Sequence, residues 1–168
     1  MKKTVDNTVT EYQWAGDLLL SEKTDGRIIW YCYDSQANLI SVTIRGITYF
    51  YVRNVQGDII ALVDADGKVI VKYTYDGWGK VVAVTGELAD TVGVQNPFRY
   101  KGYYYDNETG MYYLKSRYYD AEIKRFICAD GYFSTGVGKH DCNMFLYCNN
   151  NPIMNVDVER IFLFMYSI

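Results

Sequence analysis

One stretch of the sequence, Val69–Gly79, reads VIVKYTYDGWG and decides the fold class. Alternate side chains of an extended strand share one face, so the two valines and two tyrosines at its odd positions lie together. The residues between them form a second face that is half polar. This alternation predicts a β-strand with one face buried.

A tight turn is predicted directly after this strand, beginning at Asp76. Its side chain can accept hydrogen bonds from backbone N–H groups two residues further on. Gly79 can adopt the left-handed conformation that closes a hairpin without steric cost. The apolar run Lys80–Val84 then predicts a returning strand, so the unit is strand, Asp-x-x-Gly turn and strand.

The same unit recurs along the chain. Its leading tyrosines, Tyr31, Tyr51 and Tyr73, are 20 and 22 residues apart, which is typical of a repeat architecture. A fourth copy begins at Tyr103 and a shortened fifth copy at Tyr118. An isolated hairpin is marginal in water, whereas stacked hairpins bury one another. The repeats therefore predict one long antiparallel sheet with its tyrosines in register.

Other parts of the chain give weaker patterns. Asp64–Gly67 predicts a further turn of the same kind, and residues 11–18 are consistent with an incoming strand and turn. Residues 85–95 predict a loop with at most one helical turn. The apolar spacing within Cys142–Cys148 predicts a short helix that ends before Pro152, because the residue before a proline avoids the helical region.

Composition and charge narrow the function classes. The 168 residues include 18 Tyr, 14 Gly and only 2 Pro, as expected for strands and tight turns. The net charge is -3 and the basic residues are scattered, which argues against a nucleic-acid partner. No apolar run follows the N-terminal Met1-Lys2-Lys3, so no signal peptide is predicted in this chain. The longest apolar run, Ile161–Tyr166, is far shorter than the roughly 20 residues of a membrane helix.

Beyond residue 95 the sequence contains a series of blocks in a specific order. They read NPFRYKGYYYD at 96–106, ETGMYYL at 108–114, SRYYD at 116–120 and NMF at 143–145, and they continue through NNP at 150–152 to VD at 156–157. These blocks resemble the Rhs-repeat-associated core of the YD-repeat family, the bacterial Rhs and wall-associated polymorphic toxins. Together with the repeats, the resemblance covers roughly residues 25–157.

The resemblance implies a fold. In YD-repeat proteins the sheet spirals into a hollow shell, and the associated core plugs one end of it. We therefore expect a mainly β fold in three parts. Residues 1–95 form antiparallel YD-repeat hairpins of the shell, residues 96–157 form a core plug of loops and a short helix, and residues 158–168 form a divergent tail.

The resemblance also implies a role and partners. The expected function is structural, a shell and core fragment that encloses or presents a C-terminal toxin segment in a secreted or cell-surface protein. The expected partners are that toxin segment or upstream YD repeats of the parent protein, with an immunity protein as a further candidate. A fragment of such a shell has an open sheet edge, which predicts self-association unless residues 1–25 cover it.

Self-cleavage is one candidate activity. In many proteins of this family the core resembles an aspartyl protease that cuts its own chain after an Asp-Pro-x-Gly element. The matching positions are Asp130 and Asp157, with Arg125 as a charge partner, and two carboxylates that share a proton supply an acid and a base. Here the element reads DVER at 157–160, without the proline and glycine. The simpler interpretation of both aspartates is as turn or capping residues, without catalysis.

Two further kinds of site are candidates. Trp78 lies at a turn tip, where an exposed ring could stack on a sugar, and the alternative function is a carbohydrate-binding or adhesin-like surface module. Cys128, His140, Cys142 and Cys148 lack the paired spacing of structural zinc sites, and buried cysteines commonly behave as small apolar residues. We therefore expect no metal and no cofactor.

Mass spectrometry of the expressed chain tests self-cleavage. The missing proline and glycine predict a single intact species, because those two residues shape the turn that presents the scissile bond. A fragment ending near Asp157 that disappears in Asp130→Asn would contradict this expectation and identify an acting carboxylate pair.

Overall fold

The computed structural model describes residues 1–129 and 145–155, which form two antiparallel sheets. The first sheet has nine strands, each paired with the next one in sequence, and the second has four. The first comprises β1 (Lys2–Val5), β2 (Thr8–Ala15), β3 (Leu18–Thr24), β4 (Arg27–Tyr33), β5 (Leu39–Ile44), β6 (Ile47–Arg53), β7 (Ile59–Val63), β8 (Val69–Tyr75) and β9 (Val81–Thr85). The second comprises β10 (Tyr104–Asp106), β11 (Met111–Leu114), β12 (Arg117–Asp120) and β13 (Arg125–Phe126). The mainly antiparallel β fold is confirmed.

Four of the turns share one hydrogen-bond pattern. In each, a side-chain oxygen accepts from the backbone N–H groups two and four residues later, at 2.7–3.0 Å. The capping residues are Asp34, Asn54, Asp64 and Asp76. Gly79 has a φ of 91°, the left-handed conformation predicted for it. One short polar side chain therefore fixes the backbone of each turn.

A second repeated contact involves the residue just before a capping residue. Its side chain reaches back to a backbone carbonyl near the beginning of the preceding strand, beyond the last backbone pair of the two strands. The side chain thus links the two strands beyond the point where their backbone hydrogen bonds end. The contacts are Tyr33 Oη to Leu19 O at 2.9 Å, Arg53 Nη2 to Leu39 O at 2.7 Å and Tyr75 Oη to Ile59 O at 2.7 Å.

The described residues form two hydrophobic cores, one for each sheet. The first lies on one face of the nine-stranded sheet, where Val42, Ile59 and Leu62 are fully buried. The second is built mainly from aromatic rings, among them Tyr112 and Tyr119. The partly buried Tyr75 packs against both cores and so connects them. Burial of apolar area on these faces is the main force that holds the strands together.

The structure departs from the sequence prediction in two respects. The hairpins do not all belong to one long sheet, and one strand buries a different face at its start. The hairpins after Asn96 form a second sheet instead of extending the first. In β8, Val69 is 53% exposed and Ile70 is 4% exposed, the reverse of the predicted faces. The register shift between Leu62 and Val63 explains this, because it changes which side of the sheet the start of β8 presents.

Three predictions about the shorter segments have different outcomes. The expected strand and turn at residues 11–18 are present, and residues 1–24 form three strands that extend the sheet without covering its edge. The loop at 85–95 contains a π-helical turn at Ala89–Gly93, as expected. The predicted helix at Cys142–Cys148 lies partly outside the described residues, and in the described part Tyr147 is extended. A 3₁₀ turn follows at Cys148–Asn150.

The variant Tyr75→Phe tests the contact between neighbouring strands. It removes the hydroxyl that donates to Ile59 O and leaves the ring in place, so we expect a loss of about 1–2 kcal/mol in the free energy of unfolding. Urea denaturation measures this. The matched control is Tyr118→Phe, whose ring is 37% exposed and for which we expect a change within about 0.5 kcal/mol. Equal effects of the two variants would contradict the role of the Tyr75 hydroxyl.

Candidate functional site

One segment, residues 88–106, crosses the buried face of the nine-stranded sheet, and we call it the strap. It begins where Leu88 N donates to Ile70 O of β8 at 3.1 Å. It ends at Asp106, whose carboxylate forms an ion pair of 2.7 Å with Lys3 of β1. The strap therefore contacts strands near both edges of the sheet.

The middle of the strap is a short hairpin. Tyr105 N donates to Pro97 O at 2.7 Å, and the chain reverses in the 3₁₀ turn Tyr100–Gly102. At the tip, Lys101 N donates to the buried carboxylate of Asp58, the residue at which the β6–β7 turn ends, at 3.0 Å. The hairpin tip is thus fixed to the end of the sheet that carries the capped turns of the repeats.

A buried asparagine holds the strap to two repeat tyrosines. Asn96 is fully buried, and its Oδ1 accepts from Tyr51 Oη at 2.7 Å. Its Nδ2 donates to Tyr73 Oη at 3.2 Å and to Phe98 O at 2.7 Å. Tyr73 Oη in turn donates to Gly93 O at 2.9 Å. Because every polar atom of this amide is paired, the network adds specificity without leaving a buried polar group unsatisfied.

Aromatic rings hold the next part of the strap. Phe98 packs edge-on against Tyr31, with ring centroids 5.0 Å apart, and against Tyr104 at 5.9 Å. Tyr104 packs in the same way against Tyr12 at 6.3 Å. Such pairs contribute roughly 0.5–1.5 kcal/mol beyond area burial. The tyrosines of the repeats therefore pack against the strap as well as against their own sheet.

A buried carboxyl lies beneath this aromatic group. Glu22 accepts hydrogen bonds from Tyr31 Oη at 2.7 Å and from Tyr104 Oη at 3.2 Å. Burial raises the pKa of Glu22 to about 7, and the two tyrosine hydroxyls and the nearby Lys3 act in the opposite direction. A carboxyl of this kind is partly neutral near pH 7 and can then also donate a hydrogen bond.

Glu22 lines an open cavity of about 730 Å³ between the first hairpins and the strap. Arg27 and Arg45 lie at the turns that border it, and Lys3 bridges Asp106 and Glu108 on its other side. Opposite charges are mixed around this cavity, so it does not favour a ligand of one sign.

The residues predicted for self-cleavage are mostly outside the described part of the chain. Asp130 and Asp157 both lie there. Arg125 is an exposed residue of β13, opposite Asp120 in the register with β12. Self-cleavage at these positions therefore stays a prediction.

The predicted sugar-binding residue is less exposed than its place in the turn suggested. Trp78 is half-buried against the second core, and its backbone carbonyl accepts from Tyr119 Oη at 2.7 Å. Lys124 Nζ lies 5.4 Å from the centroid of its ring. Trp30, at 48% exposure, presents more of its ring to solvent. Carbohydrate binding at Trp78 stays a prediction that no feature of its surroundings favours.

The candidate metal ligands are not brought together where the structure describes them. Within residues 1–129 and 145–155, no group of three or more His, Cys, Asp or Glu side chains is arranged to hold an ion. Cys128 is exposed and Cys148 is buried in the second core, while His140 and Cys142 lie outside the described residues. In the same described ranges, no helix has the length and apolar character needed to cross a bilayer.

Sequence reasoning missed the residues that organise this site. Asn96 and Glu22 each carry a buried polar group that bonds to tyrosines far away in the sequence. Each is a single polar residue without periodicity or a motif spacing of its own. The available signal was the recurring tyrosine, whose hydroxyl needs a partner when it is buried.

Comparison with known proteins identifies relatives over most of the chain. The family model described as Teneurin YD-shell matches residues 20–153. The chain is 40% identical over 163 residues to the tRNA3(Ser)-specific nuclease WapA of Bacillus spizizenii, and 41% identical to the tRNA nuclease WapA of Bacillus subtilis. Each match covers 95% of this chain and 7% of the relative.

Solved structures share the fold at lower identity. The crystal structure of TcdB2-TccC3-Cdc42 matches with a TM-score of 0.71 and 18% identity, over 93% of this chain and 8% of that chain. The Photorhabdus luminescens Tc holotoxin pore with the TccC3 mutation D651A also matches with a TM-score of 0.71 and 18% identity, over 94% of this chain and 8% of that chain. At this identity the likeness concerns the fold.

The raised pKa of Glu22 predicts a pH dependence of stability. The pKa is about 7 in the fold against a reference of 4.5, so the folded protein holds this proton more tightly than the unfolded chain. The contribution of Glu22 therefore becomes less favourable as pH rises from about 4.5 to 7. Glu22→Gln keeps an acceptor for the tyrosines and removes the ionisation. Relative to this variant, the wild type should lose about 2–3 kcal/mol between pH 5 and pH 8.

Urea denaturation at both pH values measures this difference. The matched control is Glu11→Gln, because Glu11 is exposed and its pKa is lowered by Lys2. Lys3, Tyr12 and Glu108 also surround Glu22, and all three are unchanged in the variant. Parallel pH profiles for the wild type and Glu22→Gln would show that Glu22 does not titrate in this range.

Proposed function

Because this chain belongs to the Teneurin YD-shell family, we propose that it is a structural shell segment of a longer, Rhs-type polymorphic toxin. The chain spans only 7% of the length of the curated relatives it matches, and those relatives are named as nucleases. In the proposed role this segment encloses or presents a C-terminal toxin segment and performs no chemistry on a substrate.

The observation that carries this proposal is the strap. It lies along the tyrosine face of the sheet from β8 to β1, and hydrogen bonds, ring contacts and an ion pair hold it there. A sheet that encloses another polypeptide must keep its strands together although no second layer of secondary structure covers all of its surface. A strap buried against one face, with its polar groups paired, gives the sheet that rigidity.

The partners follow from the position of the sheet edges. In the described residues β1 is the first strand of the nine-stranded sheet and pairs only with β2. Unpaired backbone groups on such an edge favour the addition of a further strand. We propose that upstream YD repeats of the parent protein pair there, and that the isolated chain associates through the same edge. The parent protein is secreted or displayed at the cell surface.

The native polypeptide provides the test of this function. We expect an antibody against this chain to detect a protein much larger than 19.4 kDa, in which the toxin segment resists limited proteolysis. Asn96→Ala should accelerate cleavage of that segment, because it leaves Tyr51 Oη without its acceptor and removes a hydrogen bond that holds the strap to the sheet. The matched control is Gln36→Ala, at an exposed turn. A native polypeptide of about 19 kDa alone, or equal protection in both variants, would overturn the proposal.

A further inference from the structure

A second cavity, of about 260 Å³, lies between the two sheets at the end of the first sheet where the capped repeat turns occur. Residues of the β2–β3 turn, the β4–β5 turn and the end of β6 line one side of it. The tip of the strap hairpin and the β11–β12 turn line the other side. Four turns and a strand end thus converge on a space large enough for one or two side chains. We call it the inter-sheet cavity.

The lining of the inter-sheet cavity is basic. Arg53, Lys101 and Lys115 are its cations, and Asp17 is its carboxylate. Asp17 Oδ2 lies 3.4 Å from Lys115 Nζ and is 60% exposed, so it is a rim residue. Three cations and one carboxylate give the lining a net charge of +2, in contrast to the mixed charges around Glu22.

Arg53 and Lys101 form no ion pair in the part of the chain that the structure describes, although the charge of Arg53 acts on the nearby Asp34 carboxylate. Arg53 Nη2 donates to Leu39 O at 2.7 Å, and its Nε–H is buried without a hydrogen-bond acceptor among the described residues. Lys101 Nζ donates only to the carbonyls of Pro152 and Asn155, at 2.7 and 2.6 Å. A cation without an ion-pair partner in a partly buried site carries a cost that an anion in the cavity would lower.

The walls of the cavity strengthen attraction to an anion. They are largely aromatic, and the ring of Trp14, 37% exposed, lies at the rim. Apolar walls lower the local dielectric constant and so increase the interaction between a cation and an entering carboxylate. Arg53 adds geometric preference, because a planar guanidinium matches a planar carboxylate. The other aromatic residues of the wall are Tyr33, Phe98, Tyr103, Tyr104 and Tyr113.

We propose that the inter-sheet cavity binds a carboxylate side chain of an acidic peptide segment. In the shell protein this segment belongs to the polypeptide that the shell encloses or presents, and this identity rests on the proposed function. The binding itself rests on the volume and the charged lining described above. Such a contact would hold the guest polypeptide at the junction of the two sheets.

Isothermal titration calorimetry of the whole chain tests the site. The probe is the capped peptide acetyl-Gly-Glu-Glu-Gly-amide, and the neutral comparison peptide has glutamine in place of both glutamates. We expect millimolar or tighter binding of the glutamate peptide, at least tenfold stronger than that of the glutamine peptide, and weaker binding at high salt. Equal affinity for the two peptides, or no heat with the glutamate peptide at ten millimolar, would overturn the proposal.

Three variants locate the binding within the molecule. Lys115→Gln removes a cavity cation and should weaken binding at least threefold, whereas Lys68→Gln, whose lysine pairs with Glu87 elsewhere on the surface, should leave it unchanged. Asp17→Asn removes the competing carboxylate and should tighten binding two- to fivefold. Asp17 and Lys68 are largely exposed and Lys115 is 37% exposed, so we expect the variants to fold, and thermal unfolding checks this. Equal effects of Lys115→Gln and Lys68→Gln would place any binding outside the cavity.

The outcome separates this site from the proposed function. If the native polypeptide is short but the glutamate peptide binds as described, the shell role fails and the carboxylate site stands. If the native polypeptide is long and protects its toxin segment but the peptide shows no preference for glutamate, the site fails and the shell role stands.

Discussion

The fold depends on how the buried tyrosine hydroxyls of the repeats find their hydrogen-bond partners. In each motif the first tyrosine donates away from its own hairpin. Tyr31 donates to Glu22, Tyr51 to Asn96 and Tyr73 to Gly93. The side chain two residues later donates to a backbone carbonyl near the beginning of the preceding strand, which belongs to the neighbouring hairpin. One short sequence motif therefore holds both the strands and, in two of three cases, the strap that crosses them.

This division explains why the motif tolerates a change at one place. Arg53 stands where the other copies have tyrosine, and it makes the same contact through Nη2. A donor of sufficient length is what that position requires, and arginine supplies one with a charge in addition. Asn54 likewise replaces aspartate at the turn, because the turn needs a side-chain oxygen and not a negative charge. The geometry of the hydrogen bond, more than the residue type, is what the repeats keep constant.

The sequence predicted the features that depend on near neighbours. The turns at Asp34 and Asp76 and the strands beside them follow from spacing over four to eight residues, where local physics dominates. The exposed Val69 and the buried Ile70 were not predictable, because a register shift between β7 and β8, with Ile70 as the extra residue, reverses the faces there. The family resemblance correctly indicated the YD-shell family. It set residues 96–157 apart from the shell hairpins as a plug of loops and a short helix, but it did not predict the four-stranded second sheet there.

The candidate site was the least predictable part for the same reason. Asn96 and Glu22 act through partners more than 20 residues away on at least one side, and an isolated polar residue carries no periodic signal. Trp78 was singled out from its place in a turn, but the second sheet packs against that turn and covers much of the ring. In both cases the contact joins segments that are distant in the sequence and that meet only when the whole chain has folded.

The strap also limits how a protein of this kind can change its length during evolution. Repeat proteins commonly gain or lose units, since each unit contacts only its neighbours. Here the segment between Leu88 and Asp106 has a fixed length and is bound to both β8 and β1. A duplicated hairpin beneath it would move β1 by about 10 Å, two strand spacings, and break its ion pair. Growth by duplication is therefore compatible with this architecture ahead of β1, and the nine strands beneath the strap behave as one inherited block.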